Sequence, residues 1–380
     1  MPDHLGSPKL SILHVLTLNG RNGEYGGPVR VARELCTELN SRGHATHIFS
    51  GAREGSEPIP RSGLSESFIL VKPISTRLAV SSLWSWRLIK PLHKLITNAD
   101  VVHIHFARDL IPFLSAFIAI LKKKPFVTQT HGMIISDGRI STRVTDFILT
   151  KPIMNRSRVN LVLTEKEMSS IKTLKLKSPA KILPNGIATE TSIHLTDSSS
   201  NRVVFCSRLD KRKGIDKFIN LADYFRESDL VFEIYGPDDG ELEFCLDKIT
   251  NRRLQNIIAY KGALPSEKVQ EVLAQAKVLI LPSENEPFPM VVLESLAVGT
   301  PVLVMPSCGF AGALRSFNEN FVSKSESTSG LVESFESQLT NIESQVDRNE
   351  IRDFCSRVFG IASVTDDLLT AYLRALNHGQ

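Results

Sequence analysis

The stretch SENEPFPMVVLESLAVGTPVLV sets two carboxylates, Glu286 and Glu294, eight positions apart in a segment otherwise built for burial. The apolar run KVLILPS before it ends at Ser283, and the pattern predicts a helix beginning near Pro289 or Met290. Pro287 and Pro289 have no N–H to donate, but proline is at home before or within a first helical turn. That leaves the amides of Phe288, Met290 and Val291 as donors at the helix mouth, where unpaired N–H groups attract an oxyanion. From the loop, Glu286 can reach sugar hydroxyls or an oxocarbenium-like centre. On the helix, Glu294 can accept from two neighbouring hydroxyls, as a ribose presents. A solvated loop acid and an exposed helix residue would leave the same letters.

A second cluster, FCSRLDKRKGID, places Ser207, Arg208, Lys211, Arg212 and Lys213 between a strand ending near Cys206 and a helix beginning near Asp216. A diphosphate needs fixed cations; arginine offers a fork that matches two phosphate oxygens, and lysine adds a point charge. A third, EYGGPVRVARE, has Gly26 and Gly27 ahead of a helix. Their amides can cradle a phosphate or admit a substrate closely, although a tight strand–helix turn asks for the same glycines. The segment matches neither GxxxxGK[ST] nor GxGxxG. Among the histidines, His103 and His105 share one face of the strand VVHIHF. His131 ends the strand of TQTHG, where it can meet a phosphate or an acceptor hydroxyl. Without carboxylates at clear spacing, these histidines make a weak metal set. Asn185 and Gly186 in LPNGI read first as a turn.

The elements that must position these groups alternate in type. KLSILHVLTL, HATHIFS, ADVVHIHF and KPFVTQTHG read as strands, and GGPVRVARELCTELNSRG as a helix with Val31, Leu35 and Leu39 in step and Gly43 as its stop. VNLVLTEKEMSSIKTL repeats strand then helix, with Thr164 as a cap and Glu167 three places on in capping-box position. After the polar stretch TSIHLTDSSSNR the alternation restarts and runs through PVLVMP, and SVTDDLLTAYLRAL closes the chain as an amphipathic helix. Alternating βα units imply parallel sheets covered by helices, so the fold class is α/β with two Rossmann-like domains. Open sheets of this kind bind ligands beyond the carboxyl ends of their strands, and two in tandem predict an interdomain cleft as the site.

The 380 residues suffice for two domains, and 42% hydrophobic with 23% charged residues is an ordinary globular balance. No apolar run reaches the length of a membrane span, and the start lacks a basic leader followed by an apolar core. The five cysteines are scattered, which fits a reducing cytoplasm. Charge is uneven: residues 1–190 hold 26 Lys+Arg against 14 Asp+Glu, and residues 191–380 hold 19 against 27. A basic first half can face an anionic membrane or a phosphorylated substrate. The segment SSLWSWRLIKPLHKLI, with Trp84, Trp86, Arg87 and Lys90, can rest on such a membrane or pack as a helix on the sheet. Nothing focuses a nucleic-acid face.

In order and placement, these pieces resemble the retaining glycosyltransferases of GT-B type, the large group called family 4 or glycosyl transferases group 1. SENEPFPMVVLESLAVGTPVLV is similar to that family's E-x7-E signature, FCSRLDKRKGID to its basic diphosphate loop, and GGPVRVARELCTELNSRGH to its glycine-rich start. The resemblance implies an acceptor-side domain over 1–190, a linker over 191–200, a donor domain over 201–358, and a last helix, 359–380, crossing back to the first domain. It implies that Arg208 and Lys213 neutralise the donor diphosphate. Glu294 would hold the ribose, and Glu286 with the Phe288 and Met290 amides the donor sugar. His131 would lie by the reacting sugar, and Gly26–Gly27 by the diphosphate and acceptor. The donor would be a nucleotide-diphosphate sugar, UDP- or GDP-linked, and no cofactor or DxD metal motif is expected. The acceptor would be a glycan or a lipid-linked saccharide in surface polysaccharide, lipopolysaccharide or glycolipid assembly, with the protein cytoplasmic or peripheral at the membrane's inner face. The chain departs from the family at Ser207 and Pro289, where relatives often have glycine, and at MPSCGFAGALRS. Two other classes share the shape: a sugar-nucleotide epimerase and a nonenzymatic sugar-nucleotide or glycan-binding protein.

Overall fold

The computed structural model describes residues 8–21, 26–75, 79–134, 139–188, 200–342 and 347–377. They fall into two compact units, residues 1–186 with 361–380, and residues 187–360. Residues 191–199 of the expected linker lie outside the described residues.

In the first unit β1 (Ser11–Leu18) leads into α1 (Gly26–Ser41), followed by β2 (Ala45–Ala52) and β3 (Glu66–Leu70). A short antiparallel pair, β4 (Lys72–Pro73) and β5 (Leu83–Trp84), precedes α2 (Ile89–Asn98), β6 (Val101–His105), α3 (Leu110–Leu121) and β7 (Phe126–Gln129). Next, α4 (Ile140–Thr145), a turn of π-helix (Asp146–Thr150) and α5 (Lys151–Met154) run on without a break. Then come β8 (Asn160–Val162), α6 (Glu165–Lys172) and β9 (Ala180–Ile182). Seven strands form a parallel sheet in the order β3-β2-β1-β6-β7-β8-β9. The strands are apolar almost throughout because helices cover both faces of such a sheet.

The second unit holds β10 (Arg202–Cys206), α7 (Ile215–Tyr224), β11 (Val231–Tyr235), α8 (Leu242–Asn251), β12 (Ile258–Gly262) and α9 (Ser266–Ala274). It continues with β13 (Val278–Leu281), α10 (Met290–Ala297), β14 (Val302–Val304), α11 (Ala311–Phe317), α12 (Thr328–Ile342) and α13 (Arg348–Phe359). Its five parallel strands run β12-β11-β10-β13-β14. The order therefore reverses between β10 and β13, and the crevice at such a reversal is where open α/β sheets take ligands. The loops that follow these two strands carry the basic cluster and the glutamate pair. In the first unit the reversal falls between β1 and β6.

The last helix, α14 (Ile361–Asn377), belongs with the first unit. Its Val364, Leu368, Ala371, Tyr372 and Ala375 share one apolar core with Leu10, Ile12, Val31 and Leu35. The opposite core takes in α2 and α3, and of the two readings of SSLWSWRLIKPLHKLI it supports packing on the sheet. Leu83, Leu88, Leu92 and Ile96 of that stretch are core residues, leaving Trp86 (77%) and Ile89 (38%) as its exposed large apolar side chains. The 3.6-residue period turns its apolar stripe onto the sheet.

Tyr372 is fully buried, and its hydroxyl lies 2.6 Å from His103 Nδ1. Replacing it with phenylalanine leaves a buried ring nitrogen without that partner, so Tyr372→Phe should lower the unfolding free energy by about 1–3 kcal/mol. Urea denaturation followed by tryptophan fluorescence checks this within the right unit, because Trp84 and Trp86 are the chain's two tryptophans and both lie in the first unit.

Candidate functional site

In the second unit the basic loop leaves β10 at Ser207, whose N–H donates to the Tyr235 carbonyl at 3.0 Å. Asp210 caps a tight turn over Lys211–Lys213 by accepting from the Arg212 N–H. Gly214 then starts α7 with φ +71°, and a Cβ there would lie 2.3 Å from the Pro282 carbonyl oxygen, so this turn requires glycine. The turn swings Lys213 inward. Its side chain is buried, and Nζ lies 2.6 Å from Glu286 Oε2. The two loops are tied again by the Glu284 N–H to the Arg212 carbonyl, 2.9 Å, and by Lys217 Nζ to Glu284 Oε1, 2.6 Å. Arg208 stands at the rim, paired with Asp239 at 2.9 Å, both side chains half exposed. Such a surface pair contributes little, so the guanidinium is available to a ligand anion.

Along the glutamate loop, Asn285 takes a left-handed conformation (φ +51°) and its N–H donates to Ser307 Oγ at 2.9 Å. The Gly309 N–H holds the Glu286 carbonyl at 2.8 Å, and a Cβ on Gly309 would come within 1.7 Å of the Pro287 carbonyl oxygen. Helix α10 starts at Met290 with Pro289 in the cap position and no side-chain cap, so its first-turn amides, including Val291, face the loop end. The Phe288 ring packs on Phe310, centroids 4.7 Å apart. Glu294 is not an exposed helix residue: it is buried, and together with burial its charge helps to push the Cys206 thiol up to about 12. Its carboxylate thus lies toward the end of β10 and the start of the basic loop. Ser283, also buried, has a hydroxyl without a hydrogen bond.

In the first unit, His14 of β1 stands opposite His103 of β6. The rings of His14, His103, His105 and His131 stack in sequence, with centroids 4.6, 4.6 and 5.0 Å apart. Hydrogen bonds run through the column: His14 Nδ1 to His105 Nε2 at 3.1 Å, and His105 Nδ1 to His131 Nε2 at 2.7 Å. Tyr372 closes it at 2.6 Å from His103 Nδ1 and 3.4 Å from His14 Nε2. Burial lowers the pKa of His14 and of the His131 ring to about 3. Burial, reinforced by the neighbouring rings, also drives those of His103 and His105 down. With neutral rings each N···N contact carries one proton. If Tyr372 donates to His103, the column runs so that His131 Nε2 donates inward and its Nδ1 remains an acceptor. The ring nitrogens of His14, His103 and His105 lie within 4.8 Å of one another. The rings of His103 and His105 are nearly parallel (10°), so they stack on each other and their in-plane lone pairs run side by side instead of converging on one metal.

His131 itself has φ +49°, unusual outside glycine. Glu167 holds it there: its carboxylate accepts from Thr130 Oγ1 at 2.5 Å, the Gly132 N–H at 2.6 Å and the Leu163 N–H at 2.7 Å. This corrects the capping box. Thr164 accepts from the Glu167 N–H as a cap should, but the carboxylate is turned to the histidine loop instead of back to Thr164. Gly26 and Gly27 open α1, and open space surrounds the position of a Cβ on Gly27, so packing does not demand that glycine.

The structure thus brings Lys213 and Glu286 into contact, with Arg208 on the first of the two loops and Glu294 and the α10 amides on the helix that follows the second, while His131 stands with its own column. Sequence reading missed His14, Tyr372, Asp239 and Gly309, and saw Glu167 only as part of a helix cap. A lone histidine inside the apolar strand SILHVLTL was the signal for His14; the others depend on contacts distant in sequence.

A family model described as Glycosyl transferases group 1 matches residues 187–351, and one described as Glycosyltransferase Family 4 matches residues 25–191. Together the two models cover residues 25–351, so the chain belongs to these glycosyltransferase families, a Family 4 unit followed by a group 1 unit. Among curated relatives, it is 33% identical to an alpha-galactosylglucosyldiacylglycerol synthase of Streptococcus pneumoniae, over 27% of this chain and 28% of that protein. The alignments to the first curated relatives span between 28% and 58% of those proteins' lengths. Among solved structures, a glycosyltransferase of Rickettsia africae has a TM-score of 0.75 at 16% identity, covering 97% of this chain and 99% of that one. Anabaena HepE, solved with UDP and glucose, has a TM-score of 0.73 at 15% identity, covering 95% and 98%. These two likenesses are of fold.

Two outcomes follow from this geometry. Gly309→Ala must move the Pro287 carbonyl and should cost about 1–3 kcal/mol, whereas Gly27→Ala, facing open space, should leave stability nearly unchanged; urea unfolding of both variants makes the comparison. The histidine column predicts acid sensitivity. Its rings stay neutral in the fold, but in the unfolded chain they take protons below their ordinary value of 6.5. The unfolded state then binds more protons, so stability falls as pH drops from about 6.5 toward 3. For His14 alone the loss by about pH 5 is about 2 kcal/mol. Unfolding curves at about pH 7 and pH 5 should show His14→Gln losing about that much less than the wild type.

Proposed function

We propose that the protein is a retaining glycosyltransferase that moves a hexose from a nucleotide-diphosphate sugar, UDP- or GDP-linked, to a hydroxyl of a glycan or lipid-linked saccharide, in surface polysaccharide or glycolipid assembly. The observation that carries the reading is the meeting of Lys213 with Glu286 at 2.6 Å where the second sheet reverses its order. Solved relatives of the fold bound to UDP, UDP-glucose or GlcNAc support the donor class.

In this reading the leaving diphosphate accepts hydrogen bonds from the Lys213 N–H groups that Glu286 does not use, and Arg208 turns from Asp239 to meet it. Negative charge grows on the bridging phosphate oxygen as the glycosidic bond breaks, so these cations act most strongly in the transition state. The second oxygen of Glu286 holds a sugar hydroxyl, with the Phe288, Met290 and Val291 amides beside it, and Glu294 holds the ribose. Ser207 adds a hydroxyl near the diphosphate. His131 serves the reacting sugar and Gly26–Gly27 the diphosphate and acceptor. The acceptor attacks from the face the leaving group departs, its proton passing to the leaving phosphate, and anomeric configuration is retained. The two cations supply the neutralisation that a metal would otherwise provide. Five buried thiols fit a reducing cytoplasm, and we carry forward peripheral contact of the basic first unit with a membrane. Among the described residues no helix is long and apolar enough to cross one.

Purified protein screened by thermal shift against UDP-, GDP-, ADP- and TDP-sugars should be stabilised by one nucleotide class. Arg208→Ala should lower slow donor hydrolysis by about a hundredfold, and Glu294→Gln should weaken nucleotide binding by about tenfold, with a chelator leaving both unchanged in the wild type. A flat screen from folded protein would overturn the donor assignment.

A further inference from the structure

The rod formed by α4, the π turn and α5 in the first unit presents an apolar stripe to solvent. Ile140, Val144, Phe147 and Ile148 recur at the spacing of one helical face, yet 78%, 49%, 78% and 60% of their surfaces are exposed. The rod is held by its other face: Thr150, Ile153 and Met154 are buried, and Asp146 makes a two-pronged pair with Arg108 at 2.7 and 2.9 Å. The outward stripe therefore contributes little to anchoring the rod. Exposed apolar faces of this extent mark interaction surfaces.

Charge indicates the partner. Residues 139–158 include five basic residues and a single acid, Asp146, whose carboxylate is already held by Arg108. Beside the stripe opens a cavity of about 230 Å³ lined by the mutually paired Arg108 and Asp146 and by two further cations, Arg143 and Lys151, with Phe147 among its apolar walls. Such a cavity suits an anionic headgroup with the start of an alkyl chain. On α3, which packs against α5, Phe117 and Leu121 are also exposed, at 57% and 65%, and the exposed Lys122 and Lys123 follow. A second copy of the chain fits poorly, because a two-fold contact would lay these cations against themselves.

We infer that this face seats on an anionic phospholipid bilayer, with Phe147 and Ile148 entering the interface and Arg143 and Lys151 meeting lipid phosphates. The surface itself needs no transferase activity. Only its consequence, an acceptor presented from a lipid, rests on the reaction proposed above. The stripe replaces the tryptophan-bearing segment as the point of contact and deepens the expectation of peripheral membrane binding.

Flotation of the full chain with vesicles tests it, comparing pure phosphatidylcholine with phosphatidylcholine containing about one-third phosphatidylglycerol. Binding is expected to the second alone and to weaken as salt is raised. The double variants Phe147→Asp with Ile148→Asp, and Arg143→Glu with Lys151→Glu, should each bind at least about tenfold more weakly. All four changed side chains lie off the core, so the variants should keep the wild-type melting temperature and its response to nucleotide sugars. Loss of that response in every protein would count against the transferase reading and leave this one standing. Absence of vesicle binding by the wild type, or binding that both variants retain, overturns the proposal. So does a concentration-dependent dimer, seen by light scattering, that the stripe variant abolishes while vesicles are ignored.

Discussion

The second unit is organised around one contact, the Lys213 ammonium against the Glu286 carboxylate at 2.6 Å, with both side chains largely withdrawn from water. Removing two charges from solvent is costly, and a buried pair often stabilises a fold less than apolar side chains of the same volume. Its surroundings show the pair being held in place rather than merely tolerated. Gly214 lets the basic loop turn under Pro282, Gly309 clamps the Glu286 backbone, and the Glu284–Arg212 bond closes the gap between the loops. The sheet order makes this possible, because β10 and β13 are neighbours at its reversal. An ammonium has three protons and a carboxylate two oxygens, so the contact leaves each group able to bind a ligand.

The first unit meets a comparable problem with neutral groups. Four stacked histidines could not be charged together at centroid spacings of 4.6–5.0 Å. Burial keeps them neutral, and hydrogen bonds then set which nitrogen carries each proton. Tyr372 of α14 and the carboxylate of Glu167 hold the column from opposite ends. His131 is consequently fixed in position and its tautomer is tied to the direction of the Tyr372 hydrogen bond, in a backbone conformation that a non-glycine residue adopts at a cost. Packing of the last helix is thereby linked to the state of a ring in β6, through a contact 269 positions apart in sequence.

Local pattern was a reliable guide to the elements and to the loops bearing charge. The start of α10 at Met290 and the outline of α1 follow from proline, glycine and apolar period. It failed where one residue type serves two ends. Glu167 occupies a capping-box position, but its carboxylate finds better donors at Thr130 and Gly132, which spacing cannot reveal. Two tryptophans flanked by leucines and basic residues allowed a membrane-facing stretch, whereas Leu83 and Leu88 belong to the core. The stripe that does face solvent sits in RISTRVTDFILTKPIM, where periodicity reports that a face exists without saying which way it is turned.

By itself the sequence determined the α/β alternation, the family resemblance, and the presence of two acids, two key cations and a histidine at strand ends. Those properties are written in neighbouring residues, through side-chain period and backbone chemistry. Tertiary structure alone decided that Lys213 pairs with Glu286, that Glu294 is buried, that His14 joins the column and that Tyr372 reaches it. Each of these depends on strand order and on contacts between segments remote in the chain, and a one-dimensional pattern carries no distance between such segments.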